Sequence, residues 1–192
     1  MELTDLFGPI GRWCGGPLGR RLGARIAAER LRGRAYQPQF RLGQLGVSWL
    51  GALTAIVLLS TLSAWSGKLL LAAPLGASSV LLFGYPASPL AQPRNIVLGN
   101  LVGALLSVVA VALLGRGPLV IALTVGLTIL LGQQMRCLHP PAGGLAFLGV
   151  LLGAKWPFVV FPVLSGSLLM VLLAAGFSRW VKGAMPYPHH WL

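Results

Sequence analysis

From residue 37 to the C-terminus the chain has no carboxylate side chain. Its only acids are Glu2, Asp5 and Glu29, set against 15 lysines and arginines, for a net charge of +12. An acid-free stretch of this length excludes a hard-cation cage built on carboxylate oxygens and a carboxylate proton relay. Cysteine is nearly absent as well. Cys14 and Cys137 lie far apart without metal-ligand spacing, which argues against a disulfide or a zinc site. Charge of either sign is scarce, at 9% of 192 residues beside 56% hydrophobic, the composition of a membrane domain and not of a soluble core. No cleavable secretory leader is read, because arginine-rich sequence precedes the first apolar run. No catalytic residue, metal or cofactor is assigned, and the chain is not read as an enzyme.

What is present divides into three parts. Residues 1–43 carry Arg12, Arg20, Arg21, Arg25, Arg30, Arg32, Arg34 and Arg41, with Leu18, Leu22 and Ile26 four apart among them. This pattern fits a basic amphipathic helix on anionic lipids, or else a solvated tail that obeys the positive-inside rule. Both place this end in the cytoplasm, and a bacterial inner (plasma) membrane is the expected location. Nucleic-acid binding fits the charge but not the apolar remainder. Residues 44–182 form a transmembrane domain, and 183–192 a short tail.

The expected fold is all-α and polytopic. Four long spans are read at residues 44–65, 96–114, 118–134 and up to about Phe177, the last bent at Pro162. Between them lie two apolar helices too short to cross, at 74–83 and 144–153, each led by proline. Pro74-Leu75-Gly76-Ala77 aligns with Pro141-Ala142-Gly143-Gly144, and Leu101, Gly103, Leu105, Leu106 and Val108 with Leu164, Gly166, Leu168, Leu169 and Val171. The chain therefore reads as two pseudo-repeated halves. If each short helix and its extended leg cross the membrane, the halves are inverted; if each is re-entrant, they are parallel. In both cases the two termini share the cytoplasmic side. So few spans also favour a homo-oligomer. Gly103 and Gly166 are read as close-packing points between spans.

The stretch at 133–144, Gln-Gln-Met-Arg-Cys-Leu-His-Pro-Pro-Ala-Gly-Gly, joins what hydrocarbon should exclude. Arg136 and His139 are polar or charged, Pro140 and Pro141 stop an incoming helix, and glycines bare the backbone. Irregular backbone at depth is tolerated only where protein or a water-filled cavity covers it. The two short helices are thus expected to meet, with unsatisfied amides and positive dipole ends turned to a small anion. On this view the substrate-facing residues are Pro74, Gly76, Ala77, Ser78, Ser79, Arg94, Asn95, Arg136, His139, Pro141, Gly143 and Gly144. Each has a plainer role open to it. Arg94 and Arg136 can cap helix ends or meet lipid phosphates, His139 can bond a carbonyl of the proline turn, and Ser78 and Ser79 can bond back to their own helix.

Residues 74–83 (PLGASSVLLF), 88–100 (SPLAQPRNIVLGN) and 139–144 (HPPAGG), in this order, resemble the HPP family of integral membrane proteins. The resemblance covers about residues 44–178 and rests on Pro74, Gly76, Ala77, Ser78, Gln92, Pro93, Arg94, Asn95, His139, Pro140, Pro141, Ala142 and Gly143. It implies a compact helical membrane domain, usually counted as four spans, and transport of nitrite or a similar small anion, since chloroplast and cyanobacterial members are linked to nitrite. Some members add CBS domains; none is visible here. Gly144 departs from the alanine more usual in the family. Two other classes stay open: an intramembrane hydrolase pairing Ser78 or Ser79 with His139, which lacks a G-x-S-x-G elbow and an acid to orient the histidine, and a membrane scaffold or sensor acting through the basic N-terminal segment.

Overall fold

The computed structural model describes residues 17–36 and 39–191, and every regular element among them is helical. The chain packs as two compact units, 1–41 and 42–192. In the first, helix α1 spans Pro17–Tyr36. Leu22 and Ile26 are exposed on it, and Glu29 and Arg32, one turn apart, form an exposed ion pair at 2.9 Å. Such a pair adds about 0–1 kcal/mol. Arg12 and Cys14 lie outside the described residues.

The second unit contains α2 (Leu42–Ser66), α3 (Ala73–Gly84), α4 (Pro93–Leu114), α5 (Pro118–Gln134), α6 (Pro140–Leu152) and α7 (Trp156–Trp180). Five of these six helices start with proline in the first turn or just before an irregular one, where the missing N–H costs nothing. Three helices, not four, are long and apolar enough to cross alone: α2, α4 and α7, of 25, 22 and 25 residues. The expected fourth span, α5, has 17 residues. At 1.5 Å per residue it reaches about 25 Å, short of the ~30 Å hydrocarbon layer. It is cut off where Cys137 N–H bonds back to Gly132 O at 2.8 Å and the chain turns. In α7 the helix breaks as expected beside Pro162, with Phe161 in extended conformation.

Each short helix doubles back along its predecessor. After α2, Ser63 Oγ donates to Lys68 O (2.8 Å) and accepts from Leu70 N–H (3.2 Å), so the extended leg 67–72 starts down the side of α2. α3 continues in the same direction until Phe83 packs on Gly51. The second half repeats this. Leu138 lies against Gly132, Gly143 against Val125, and Gly153 at the far end against Arg116. Leg and short helix together retrace the preceding helix. A short helix alone is too short to cross; leg and helix together run back beside most of the preceding helix.

The two interrupted segments run antiparallel to one another. Pro74 packs on Gly144, while Ser78, one turn further along α3, meets His139, which precedes α6. Helices α4 and α7 cross antiparallel at an Asn100 Nδ2–Ser167 Oγ hydrogen bond of 3.0 Å. Both expected packing glycines are found in that role. A Cβ on Gly103 would strike Ala142 O, and one on Gly166 would strike Leu70 O. Apolar residues fill the rest in two clusters. One gathers Leu59, Leu75, Phe83, Ile96 and Met170, the other Ala72, Ala104, Leu145, Val159 and Val163.

Candidate functional site

The break before α6 is organised by His139, which is 2% exposed. Its Nδ1 lies 2.9 Å from Leu90 O, in a short 3-10 turn at Pro89–Ala91. A carbonyl only accepts, so Nδ1 carries the proton. The other ring nitrogen, Nε2, is then an acceptor, and Ser78 Oγ at 2.8 Å donates to it. Three elements far apart in sequence are tied through one imidazole. The plainer role foreseen for His139, a bond to a carbonyl, is therefore real, but the carbonyl belongs to the loop before α4 and not to the proline turn.

The neighbouring polar groups hold the leg 135–139 in place. From the first turn of α4, Arg94 Nη2 donates to Met135 O at 2.9 Å and Asn95 Nδ2 to Leu138 O at 2.8 Å. Gly99, a turn further on, lets α4 lie on the leg, since a Cβ there would sit 2.6 Å from Cys137 O. Ser79 bonds back to Gly76 O at 2.7 Å and leaves the site to Ser78. Of the remaining residues, Pro74 and Pro141 lie at the overlap of the two breaks. Ala77, Arg136 and Gly144 are exposed; Gly76 and Gly143 are half-buried. Arg136 adopts φ 53°, the left-handed region, as the chain leaves α5.

The helix starts differ from the amide-rich ends that the sequence led one to expect. Four N–H groups are ordinarily orphaned at a helix start. At α6 two of these belong to Pro140 and Pro141 and do not exist, and Ala142 N–H bonds to His139 O at 2.9 Å. At α3, Pro74 has none and Leu75 N–H bonds to Ala72 O at 2.8 Å. The proline that permits the break also consumes the donors. What remains at the breaks is the dipole of each helix and two side chains already engaged, the Ser78 hydroxyl on His139 and the His139 ring on Leu90 O. The two starts also slide past one another, so they do not face a common pocket end-on. A pocket of about 370 Å³ opens beside the second break, walled by Thr128, Ile129, Gly132, His139, Pro140 and Gly143, with no wall from α3.

Two residues of the 88–100 stretch take roles that the sequence did not assign them. Gln92, 1% exposed, donates from Nε2 to Pro86 O and Ser88 O at 2.9 Å each, and its Oε1 accepts from His189 N–H at 3.0 Å. This ties the C-terminal tail, which looked featureless in sequence, to the loop that carries Leu90. The sequence marked Gln92 as one of the positions that carry the HPP resemblance, without its partners. Asn100 Oδ1 is buried at the α4–α7 crossing without a partner among the described residues.

The fold and this arrangement can be set beside known proteins. Residues 37–188 match the HPP transmembrane region. The chain belongs to the HPP transmembrane family. Two transmembrane proteins of Dictyostelium discoideum are each 35% identical to it over 162 residues, or 78% of the chain; the aligned part is 56% of one and 52% of the other. The chain thus spans about half the length of these curated relatives. No solved structure matches it. Within this HPP domain, the tripeptide His139-Pro140-Pro141 closes the second break: the imidazole fastens it and the prolines open the next helix, the one before having already ended at Gln134.

A serine–histidine pair in contact is also what a hydrolase needs. Here Ser78 is 0% exposed, and the group orienting the ring is a carbonyl and not a carboxylate.

Proposed function

We propose that this HPP domain carries a small monovalent anion, nitrite or one of similar size, across the membrane by way of the two breaks. The observation that carries the proposal is the meeting of two interrupted, antiparallel segments at a buried hydroxyl–imidazole pair, in a unit without one carboxylate. A polar pair at this depth is costly unless it serves binding or passage.

The halves are read as inverted repeats, and the contacts support this. A shift of 67 residues, that from Pro74 to Pro141, also takes Gly99 to Gly166 and Leu70 to Cys137, so the counterpart of Gly166 is Gly99 and not Gly103, with which the apolar pattern had aligned it. Gly99 packs on Cys137 O and Gly166 on Leu70 O, so each half does to the other what is done to it. The same shift takes Asn100 to Ser167, which bond to each other. Counted this way there are six crossings, two of them broken, and the start of α2 and the end of α7 share a face. That face also holds Arg94, Arg136, Arg179 and Lys182, against Lys68, Arg116 and Lys155 opposite, which favours cytoplasmic termini.

The hydrogen bonds supply a mechanism for proton coupling. In the neutral state the Ser78 proton is engaged by Nε2. Once the ring takes a second proton, Nε2–H donates to Ser78 Oγ, and the hydroxyl hydrogen is free to turn toward an anion beside a new positive charge. Anion and proton then bind together. The elements packed around the ring carry only Arg94, Arg136 and Cys137 as ionisable groups, none able to compensate a cation. Nitrite uptake into proteoliposomes should therefore rise as pH falls, above the leak of protein-free vesicles. His139→Ala should abolish that rise while leaving the protein monodisperse. Absence of flux for nitrite, nitrate, formate and chloride alike would refute the proposal.

A further inference from the structure

Along the outer side of α7, two grooves adjoin. One, of about 630 Å³, lies between α7 and the tail and is walled by Leu172, Gly176, Arg179, Tyr187 and Trp191. The other, of about 290 Å³, lies between α7 and α4 and is walled by Arg94, Val97, Leu98 and Leu168 as well as Leu172 and Trp191, which the two share. Because α4 and α7 are antiparallel, Arg94 in the first turn of one and Arg179 in the last turn of the other lie at the same membrane face. Arg94 and Arg179 stand toward one end, and the remaining walls are mostly aliphatic, with Tyr187 and Trp191 among them.

We infer that this composite groove is a binding site for one anionic phospholipid, its phosphate at Arg94 and Arg179 and an acyl chain along Val97, Leu98, Leu168 and Leu172. Three features choose this occupant. The first is charge: Arg179 has no hydrogen-bond or ion-pair partner among the described residues, and Arg94 uses one nitrogen on Met135 O. The second is length: from Arg179 to Leu168 the helix rises about 16 Å, close to the ~15 Å depth of one hydrocarbon leaflet. The third is the border: Trp180 and Trp191, 82% and 56% exposed, are the residues that settle at the headgroup level. A second copy of the chain fits worse, since residues 42–192 contain no acid to meet either arginine. The wall also keeps a spare donor. The Tyr187 hydroxyl is buried without a partner, and burial raises its pKa, so the proton stays on.

The test is native mass spectrometry of the purified full chain titrated with phosphatidylglycerol and, separately, phosphatidylcholine. The expected result is one phosphatidylglycerol per chain, retained at least about tenfold better than phosphatidylcholine, and lost in the double variant Arg94→Gln/Arg179→Gln. Arg94 also holds the leg, so two variants guard against misfolding: Arg179→Gln alone, expected to weaken retention, and Leu172→Trp, which fills the groove with both arginines in place and is expected to abolish it. Lys68→Gln, at the other membrane face, should change nothing. Equal retention of both lipids, or retention unaffected by Leu172→Trp, overturns the inference. So does displacement of the lipid by millimolar inorganic phosphate, which would mark a free-ion site, or a shift from dimer to monomer in Leu172→Trp with the lipid count unchanged, which would mark an interface between copies.

Discussion

Where α3 passes the second break, the halves meet through a hydrogen bond from Ser78 to His139. The corresponding positions 67 residues away are Leu145 and Ala72, and both belong to an apolar cluster. The backbone plan is shared, but the chemistry sits on one side only. A glycine lets a long helix lie on the extended leg in each half, and a proline opens each short helix. Yet only one leg ends in an ionisable ring. The comparison separates the glycine-and-proline plan, which occurs twice, from the hydroxyl–imidazole contact, which occurs once.

Six substitutions, taken in four steps, break or sharpen that comparison. The largest expected effect is on the apolar side. Leu145, 0% exposed, has close neighbours on every face, and Leu145→Ala should cost about 2–5 kcal/mol, read as a drop in thermal unfolding midpoint in detergent. An unchanged midpoint would mean that the cluster does not hold the halves together. Next come the paired glycines. Gly99→Ala and Gly166→Ala each press a methyl onto a backbone carbonyl and should each lose about 1–3 kcal/mol. Tolerance at one and collapse at the other would show that the plan is not shared. Third, Ser78→Ala removes the donor to Nε2 and should lower stability by about 1–3 kcal/mol, whereas Ser79→Ala, whose hydroxyl bonds within its own helix, should do much less; equal losses would contradict the division of roles between them. The smallest effect is at Gly144, exposed and with Pro74 atoms at 3.4 Å from a Cβ. Gly144→Ala should raise stability by roughly 0.5–1 kcal/mol, the ordinary gain for a helical glycine, and a loss there would mean that Pro74 cannot give way.

The sequence made some of this legible and hid the rest for physical reasons. Proline and glycine act on the local backbone, so the breaks at Pro74 and Pro141, the kink at Pro162 and the packing at Gly103 and Gly166 could be read off directly. So could the bond of Ser79 to its own helix and the capping role of Arg94. The Ser78–His139 and Gln92–His189 bonds join residues 61 and 97 positions apart, and nothing local announces such contacts. The bounds of α5 were read as they are, Pro118 to Gln134; what stayed hidden is that 17 residues fall short of a full span and that the leg turns back from its end. The missing amides could have been deduced, since two adjacent prolines have no N–H to offer, but the general picture of a helix start obscured the particular one.

The bonds between halves are unevenly placed. His139 to Leu90, Arg94 to Met135, Asn95 to Leu138 and the Gln92–His189 stitch all lie toward the face where α2 begins and α7 ends. Toward the opposite face, among the described residues, the halves touch through apolar packing around Ala104, Val108, Val159 and Val163. Hydrogen bonds hold direction; aliphatic surfaces can shear. If the domain carries an anion as proposed, rocking of one half against the other would pivot about the stitched end and open at the aliphatic one.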